Sequence, residues 1–218
     1  GRMGRMGTGD HRSGMTLQDA ARKGLAETGL KPLFAEDRIC PEIASEFGSP
    51  TRYDGSKRPH FRNAGLHGGM DVSLSEGTPL LALARGVVIH KGAGGQAMGE
   101  YLWLQFPPEA TGLNKYIFAK YQHLREPSRL EIGANVTAGQ VIAFSGATGT
   151  FGRHFGISGY PHLHLTIVAS ASGEFRLRGP RVRPSKGKLM DPLAVYLSPK
   201  DFDRVFLDPA ALSGKSVP

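Results

Sequence analysis

From Ile43 onward the chain is written in short apolar runs with period-two alternation, separated by glycine, proline and asparagine. Such runs cover Leu80–Ile89, Tyr101–Phe106, Lys115–His123, Gln140–Ser145, His162–Ala169 and Glu174–Arg178, and Asp71-Val72-Ser73-Leu74 opens another strand-like stretch. Strands bounded by turns at this spacing predict a mainly β fold of antiparallel sheets. Ala138-Gly139, between Val136 and Val141, predicts a tight hairpin. Helical spacing is confined to the two ends. Alanines and leucines recur from Thr16 to Thr28, with Thr16 as N-cap and Gly29 as a stop, which predicts an N-terminal helix. Ser198-Pro199, running on to Asp208-Pro209, predicts a short C-terminal helix with proline in its first position. Residues 1–14 are glycine-rich and basic and are expected to be disordered. The expected organisation is a tail and helix over 1–40, one domain over 41–197, and a helix and tail over 198–218.

Composition bounds this picture without changing it. A chain of 218 residues that is 39% hydrophobic has material for one ordinary core. No apolar stretch reaches the roughly 18 residues needed to span a membrane. The start, Gly1-Arg2-Met3-Gly4-Arg5-Met6-Gly7, reads as an expression remnant on a truncated chain, so the lack of a visible secretory leader does not fix a compartment. Cys40 is the single cysteine and cannot close an internal disulfide; it is expected to pack as a small hydrophobe beside Ile39.

The net charge of +8 is unevenly placed. Arg176, Arg178, Arg181, Arg183, Lys186 and Lys188 face the single acid Glu174 between Ala171 and Met190. A run of this kind is ordinarily a solvated, mobile loop, and its functional reading is attraction to a polyanion. It lacks the interleaved aromatics that stack on bases, and the chain has no nucleic-acid-binding motif.

The chemistry is concentrated in two clusters, His67-Gly68-Gly69-Met70-Asp71 and His162-Leu163-His164. They supply three imidazoles and one carboxylate, ligand types that suit zinc. His162 and His164 lie two apart in a strand-like run, so both rings share one face. A catalytic zinc keeps three protein ligands and leaves one position for water. Four candidates for three places leave one histidine to work on that water. Any single histidine is ordinarily a surface or hydrogen-bonded residue; two clusters at ligand spacing, each in a strand-and-glycine setting, are a stronger signal.

A further histidine, His123 in Lys120-Tyr121-Gln122-His123-Leu124, completes a pattern. With it the chain resembles the lysostaphin-like, or LytM-domain, zinc peptidoglycan endopeptidases, which carry His-x-x-x-Asp, Tyr-x-His-Leu and His-Leu-His in this order. Supporting segments include Ile43-Ala44-Ser45-Glu46-Phe47-Gly48, Gly77-Thr78-Pro79-Leu80, Ala84-Arg85-Gly86-Val87-Val88, Val136-Thr137-Ala138-Gly139-Gln140-Val141-Ile142, Ser145-Gly146-Ala147-Thr148-Gly149 and Asp191-Pro192-Leu193. The resemblance covers residues 41–197 and implies a metallopeptidase domain there.

It further implies one Zn2+ held by His67, Asp71 and His164, with His123 and His162 flanking the metal, orienting water and donating hydrogen bonds. Two neutral imidazoles and one carboxylate leave that ion a net positive charge, which activates water and polarises a carbonyl. The implied activity is hydrolysis of amide bonds in the peptide crosslinks of bacterial peptidoglycan, in the periplasm or cell envelope or by a secreted enzyme. An alternative is a non-catalytic groove that binds peptidoglycan and activates a partner hydrolase; degenerate members of that kind usually lack ligands, whereas every ligand position is filled here. An anionic cell envelope then suits the basic run as a partner. Four loops, over 49–66, 91–99, 107–114 and 146–161, are expected to wall a groove with zinc at its floor. The last is longer than the family's usual link, with Phe151 to Tyr160 filling the space before Pro161. Tyr160 is a candidate substrate-binding residue in that groove, with packing as the other reading, and His154 is given no role. Both a D-alanyl-to-diamino-acid crosslink and a glycine-rich bridge suit such a groove; with no wall-binding module after the domain, direct crosslinks are expected.

Overall fold

The computed structural model describes residues 21–22, 24–30, 33, 42–52, 55–95, 97–150, 160–199 and 206–207. Among these the strands are β1 (Leu25–Glu27), β2 (Ile43–Ser45), β3 (Met70–Ser73), β4 (Pro79–Leu81), β5 (Gly86–Ala93), β6 (Glu100–Phe106), β7 (Tyr116–Leu124), β8 (Asn135–Val136), β9 (Val141–Phe144), β10 (His162–Ser170), β11 (Phe175–Arg178), β12 (Arg181–Pro184), β13 (Lys188–Met190), β14 (Leu197–Pro199) and β15 (Phe206–Leu207). Among the described residues, regular helix is confined to residues 21–22 and the single turn Pro108–Thr111. The fold is mainly β, as the alternation predicts. No helix among the described residues is long and apolar enough to cross a membrane.

The largest sheet runs β15-β13-β10-β7-β6-β5-β8, with β3 also on β10 and β2 on β3. Its pairs are antiparallel. Period two sorts its central strands into two faces. Leu102, Leu104, Phe106, Ile117, Ala119, Tyr121, Leu163 and Ile167 point into the main core, together with Leu80, Ile142 and Ala143 of the small β4–β9 sheet. On the other face Tyr101, Trp103, Phe118 and Val168 form a second core with Ile89 and Val182. The β11–β12 hairpin covers it, with Val182 and Phe175 turned inward. Because β6 and β7 are covered on both faces over much of their length, their sequences read as nearly continuous apolar runs.

One irregularity governs the site. Tyr101 pairs with Gln122, and its neighbour Glu100 pairs with Leu124, so His123 is an extra residue in β7. It takes a left-handed conformation, φ 64°. Regular alternation would turn His123 into the main core; the bulge turns its ring to the opposite face and returns Leu124 to the core.

Several sequence expectations are corrected. Leu80–Ile89 is two strands, β4 and β5, in different sheets. Ala138-Gly139 makes a turn, not a hairpin: β8 pairs with β5 and β9 with β4, and Gly139 N–H donates to Ala82 O at 2.8 Å. The expected N-terminal helix does not extend to Thr28, because Leu25–Glu27 pairs with Leu197–Pro199. Thr28 is held separately, its hydroxyl donating to Val195 O at 2.6 Å. The same pairing places Ser198 and Pro199 in a strand instead of the expected C-terminal helix, and Phe206–Leu207 is also a strand. Residues 21–22 are helical as expected, while over Leu25–Glu27 and Leu197–Pro199 tertiary pairing outweighs weak helical propensity. The basic run is a β-hairpin and not a mobile loop, because Phe175 and Val182 anchor it. Residues 1–14, the first part of the predicted N-terminal helix, Cys40, His154 and most of the predicted C-terminal helix lie outside the described residues.

Phe118 is fully buried beneath the hairpin, whereas Leu177 on the hairpin is 51% exposed. Phe118→Ala should cost about 3–5 kcal/mol of stability in denaturant unfolding. Leu177→Ala should stay within about 0.5 kcal/mol. Equal costs would show that the second core is not a structural element.

Candidate metal centre

The centre is built at the start of β10. Antiparallel pairing sets His164 directly opposite Asp71 and His162 opposite Ser73. Directly paired residues point to the same face, so both rings and the carboxylate emerge together. His67 comes from the turn before β3, where its N–H donates to Ser49 O at 2.9 Å and its carbonyl accepts from Gly48 N at 2.8 Å. Gly69 lets this turn pass under β10: a Cβ there would lie 2.5 Å from Leu165 O and 2.7 Å from His164 Nε2.

Asp71 Oδ1 is the hub. It lies 2.7 Å from His164 Nδ1, 3.3 Å from His67 Nε2 and 3.8 Å from His162 Nε2. His67 Nε2 and His164 Nδ1 are 3.2 Å apart. One donor atom each from His67, Asp71 and His164 falls within 4.8 Å of the others, close enough to hold a metal ion. The three ligand candidates named from the sequence are therefore brought together.

The far side of each ring is committed, which fixes what the near side offers. His67 Nδ1 donates to Glu46 O at 3.0 Å, His123 Nδ1 to Thr148 O at 2.8 Å and His162 Nδ1 to Tyr160 O at 2.8 Å. A carbonyl only accepts, so Nδ1 carries the proton and Nε2 keeps its lone pair. His164 is reversed: its Nε2 meets the Thr166 hydroxyl at 3.1 Å, leaving Nδ1 for the centre. Partners of this kind orient metal ligands and set their tautomers.

Electrostatics favour the same protonation states. Burial raises the Asp71 carboxyl, but the His164 and His67 rings that face it outweigh burial and hold it well below the usual carboxylate range. Burial lowers His164 to about 4 although the Asp71 carboxylate beside it favours the charged ring. Burial also lowers His123 to about 3, helped by the charges of His162 and His164. A carboxylate with neutral imidazoles is the donor set a divalent metal requires.

His123 and His162 stand beside the three ligands, their ring centroids 4.7 Å apart. His123 is 6.2 Å from the His164 ring. Tyr160 stacks on His162 at 5.4 Å and 24°, and its hydroxyl is hydrogen-bonded to the Ser73 side chain. Two participants carried no sequence signal strong enough to single them out. Arg58 brings Nη2 to 4.0 Å from Asp71 Oδ2 and donates to Ser45 Oγ at 2.8 Å. Thr166 was visible only as the residue two beyond His164, on the same face by alternation.

Residues 65–176 match the sequence profile of peptidase family M23. The DD-carboxypeptidase/endopeptidase Mpg of Neisseria meningitidis serogroup B is 32% identical over 154 residues, covering 71% of this chain and 30% of that protein. Lysostaphin of Staphylococcus simulans is 32% identical over 109 residues, covering 50% of this chain and 19% of that protein. This chain thus spans less than a third of the length of either relative. Among solved structures, the catalytic domain of Staphylococcus simulans lysostaphin aligns with a TM-score of 0.45 and 25% identity, over 61% of this chain and 84% of that one. The profile match extends over half of the chain and takes in His67, Asp71, His123, His162 and His164; the chain belongs to peptidase family M23.

Proposed function

We propose that the chain is a zinc-dependent endopeptidase that hydrolyses amide bonds in the peptide crosslinks of peptidoglycan, acting in the periplasm or elsewhere in the cell envelope. The convergence of His67, Asp71 and His164 donor atoms within 4.8 Å carries the metal part of this reading. The substrate part rests on the resemblance to lysostaphin-like enzymes and on relatives named DD-carboxypeptidase/endopeptidase and lysostaphin.

His67 Nε2, Asp71 Oδ1 and His164 Nδ1 would hold the ion. When bound, zinc supplies a Lewis acid that makes water acidic near neutral pH and polarises the scissile carbonyl. His123 and His162 handle the proton, and Nε2 is the atom each has free for it. The attacking water gives a proton to one Nε2, and that proton then reaches the leaving nitrogen as the amide C–N bond breaks. The protonated ring also stabilises the negative charge that develops on the carbonyl oxygen. Tyr160 braces His162 by stacking.

The hairpin adds a second contact. Its register sets Arg176 opposite Arg183 and Arg178 opposite Arg181, all exposed. Like charges directly paired across strands are destabilising, so this face gains when a polyanion supplies the counter-charge. An anionic cell envelope fits that requirement.

Replacing His67, Asp71 or His164 with alanine should remove both bound zinc and activity, since too few ligands remain. His123→Ala and His162→Ala should keep stoichiometric zinc and lose roughly a hundredfold or more in kcat. Zinc analysis alongside turnover of purified sacculi separates the two classes, and a ligand variant that keeps its metal contradicts the assignment.

Glutamine at positions 178, 181, 183 and 186 together should weaken binding to sacculi, and so should salt, which screens charges beyond about 10 Å at 0.1 M. Undiminished binding at low salt would assign the hairpin to structure alone.

The neutral rings make the metal-free protein acid-sensitive. His123 and His164 titrate near 3 and 4 when folded, against 6.5 when unfolded, so between these values the unfolded chain binds more protons. Stability should therefore fall as pH drops from 6.5 toward 4. Thermal melts of the metal-free protein should show this, with a shallower slope in His123→Gln; an unchanged slope would mean that His123 is not buried neutral.

A further inference from the structure

His123 is held from two directions by a single residue of the segment that follows β9. As the extra residue of the β7 bulge it has a left-handed backbone, φ 64°, which costs energy outside glycine and persists only where the surroundings enforce it. Two things must be fixed for such a residue to present its ring in one place: the backbone of the bulge and the rotation of the ring. Thr148 meets both requirements. Its hydroxyl donates to Leu124 O at 2.6 Å and accepts from Glu100 N–H at 3.0 Å. Glu100 and Leu124 are the opposed pair that closes the bulge. The hydroxyl is thus a rung between a strand donor and a strand acceptor, at the point where the extra residue interrupts the ladder. The carbonyl of the same residue accepts from His123 Nδ1 at 2.8 Å.

The position of Thr148 is itself enforced. Arg125 N–H donates to Phe144 O at 3.0 Å and Leu124 pairs with Ser145, so the chain leaving β9 runs along the end of β7. It then passes backbone against backbone over the end of the 91–99 loop. A Cβ on Gly99 would lie 2.3 Å from Thr148 O, and one on Gly149 would lie 2.2 Å from Gly99 N. Both glycines have φ 64°, so neither the space nor the conformation admits a side chain. Thr150 closes the turn from the other side, its hydroxyl donating to Ala147 O at 2.7 Å. A bulge needs only the hydroxyl rung to stay closed. That the same residue also fixes Nδ1 ties the backbone irregularity to the proton chemistry at Nε2.

We propose that Thr148 is the positioning residue of His123: its hydroxyl holds the bulge and its carbonyl holds the ring, so that Nε2 stands beside the metal centre in one orientation. This rests on the hydrolase reading above, in which His123 handles the proton, and adds to it a residue that acts only through His123. Without the hydroxyl, Glu100 N–H and Leu124 O lose their bridge and the bulge is free to shift, carrying the His123 ring with it. A misplacement of about 1 Å at a group that transfers a proton costs on the order of a hundredfold in rate. The loss falls on the chemical step, because the three metal ligands lie on other segments.

The test uses the zinc-loaded full chain, a soluble crosslinked stem-peptide dimer and two variants. Thr148→Val keeps the shape and removes the hydroxyl; Thr148→Ser keeps the hydroxyl. Thr148→Val should retain stoichiometric zinc and the parental KM while kcat falls roughly tenfold or more, and Thr148→Ser should restore most of kcat. Nuclear magnetic resonance of the parent chain, nitrogen-labelled at histidine, should show protected Nδ1–H protons on His123 and His162, whose partners are Thr148 O and Tyr160 O. In Thr148→Val the His123 signal should be lost to exchange and the His162 signal should stay. Parental kcat or an intact His123 signal in Thr148→Val overturns the assignment. So does a loss that Thr148→Ser shares, or one that extends to zinc and to His162, which would make Thr148 a residue of general stability. If the parent chain leaves the dimer uncut, the hydrolase reading falls, and the His123 signal in the two variants still decides for or against the role of Thr148.

Discussion

The register between β3 and β10 is the constraint on which the centre depends. It sets Asp71 opposite His164 and places one carboxylate oxygen within 3.8 Å of three imidazoles. The same two strands send Met70, Val72, Leu163 and Leu165 to the opposite face, against the main core. A slip of one residue would exchange the faces, burying Asp71 in the core and exposing its apolar neighbours. Each such side chain is worth about 1.5–3 kcal/mol when buried. The apolar alternation that builds the core is therefore also what aligns the ligands, and a change in that core is a change in the site.

The large sheet uses one face in two ways. At one end Trp103, Phe118 and Val168 are covered by the hairpin and make a second core. At the other end His162, His164, Asp71 and Ser73 share the same face and build the candidate metal centre. Lys120 stands between, with Trp103 on the covered side and Thr166 on the site side. The hairpin thus shields part of the sheet, with Val182 and Phe175 turned onto it.

Much of this was legible in the chain. Local signals were sufficient wherever a residue's role follows from its own strand: His162 and His164 share a face because a strand alternates, and the mainly β fold follows from the same period. The ligand set came from motif order, and the donor geometry agrees with it. What stayed hidden depends on partners distant in sequence. Leu25–Glu27 looks helical until Leu197–Pro199 is there to pair with it. Ala138-Gly139 has hairpin chemistry, but β5 and β4 claim the strands on either side. The bulge at His123 requires the neighbouring strand to define an extra residue, and Arg58 reaches Asp71 only through the fold of its loop. The hairpin read as a solvated run because its cations outnumber Phe175 and Val182, the two side chains that anchor it.

The division of labour among the histidines is the central claim, and the coordination shell of the bound ion tests it most directly. X-ray absorption of the zinc-loaded protein should show two imidazole nitrogens and a carboxylate oxygen at about 2.0–2.2 Å, with the remaining position filled by solvent oxygen. A shell with three or more imidazoles would make His123 or His162 a ligand, and a sulfur at about 2.3 Å would bring in Cys40. Either result would contradict the account.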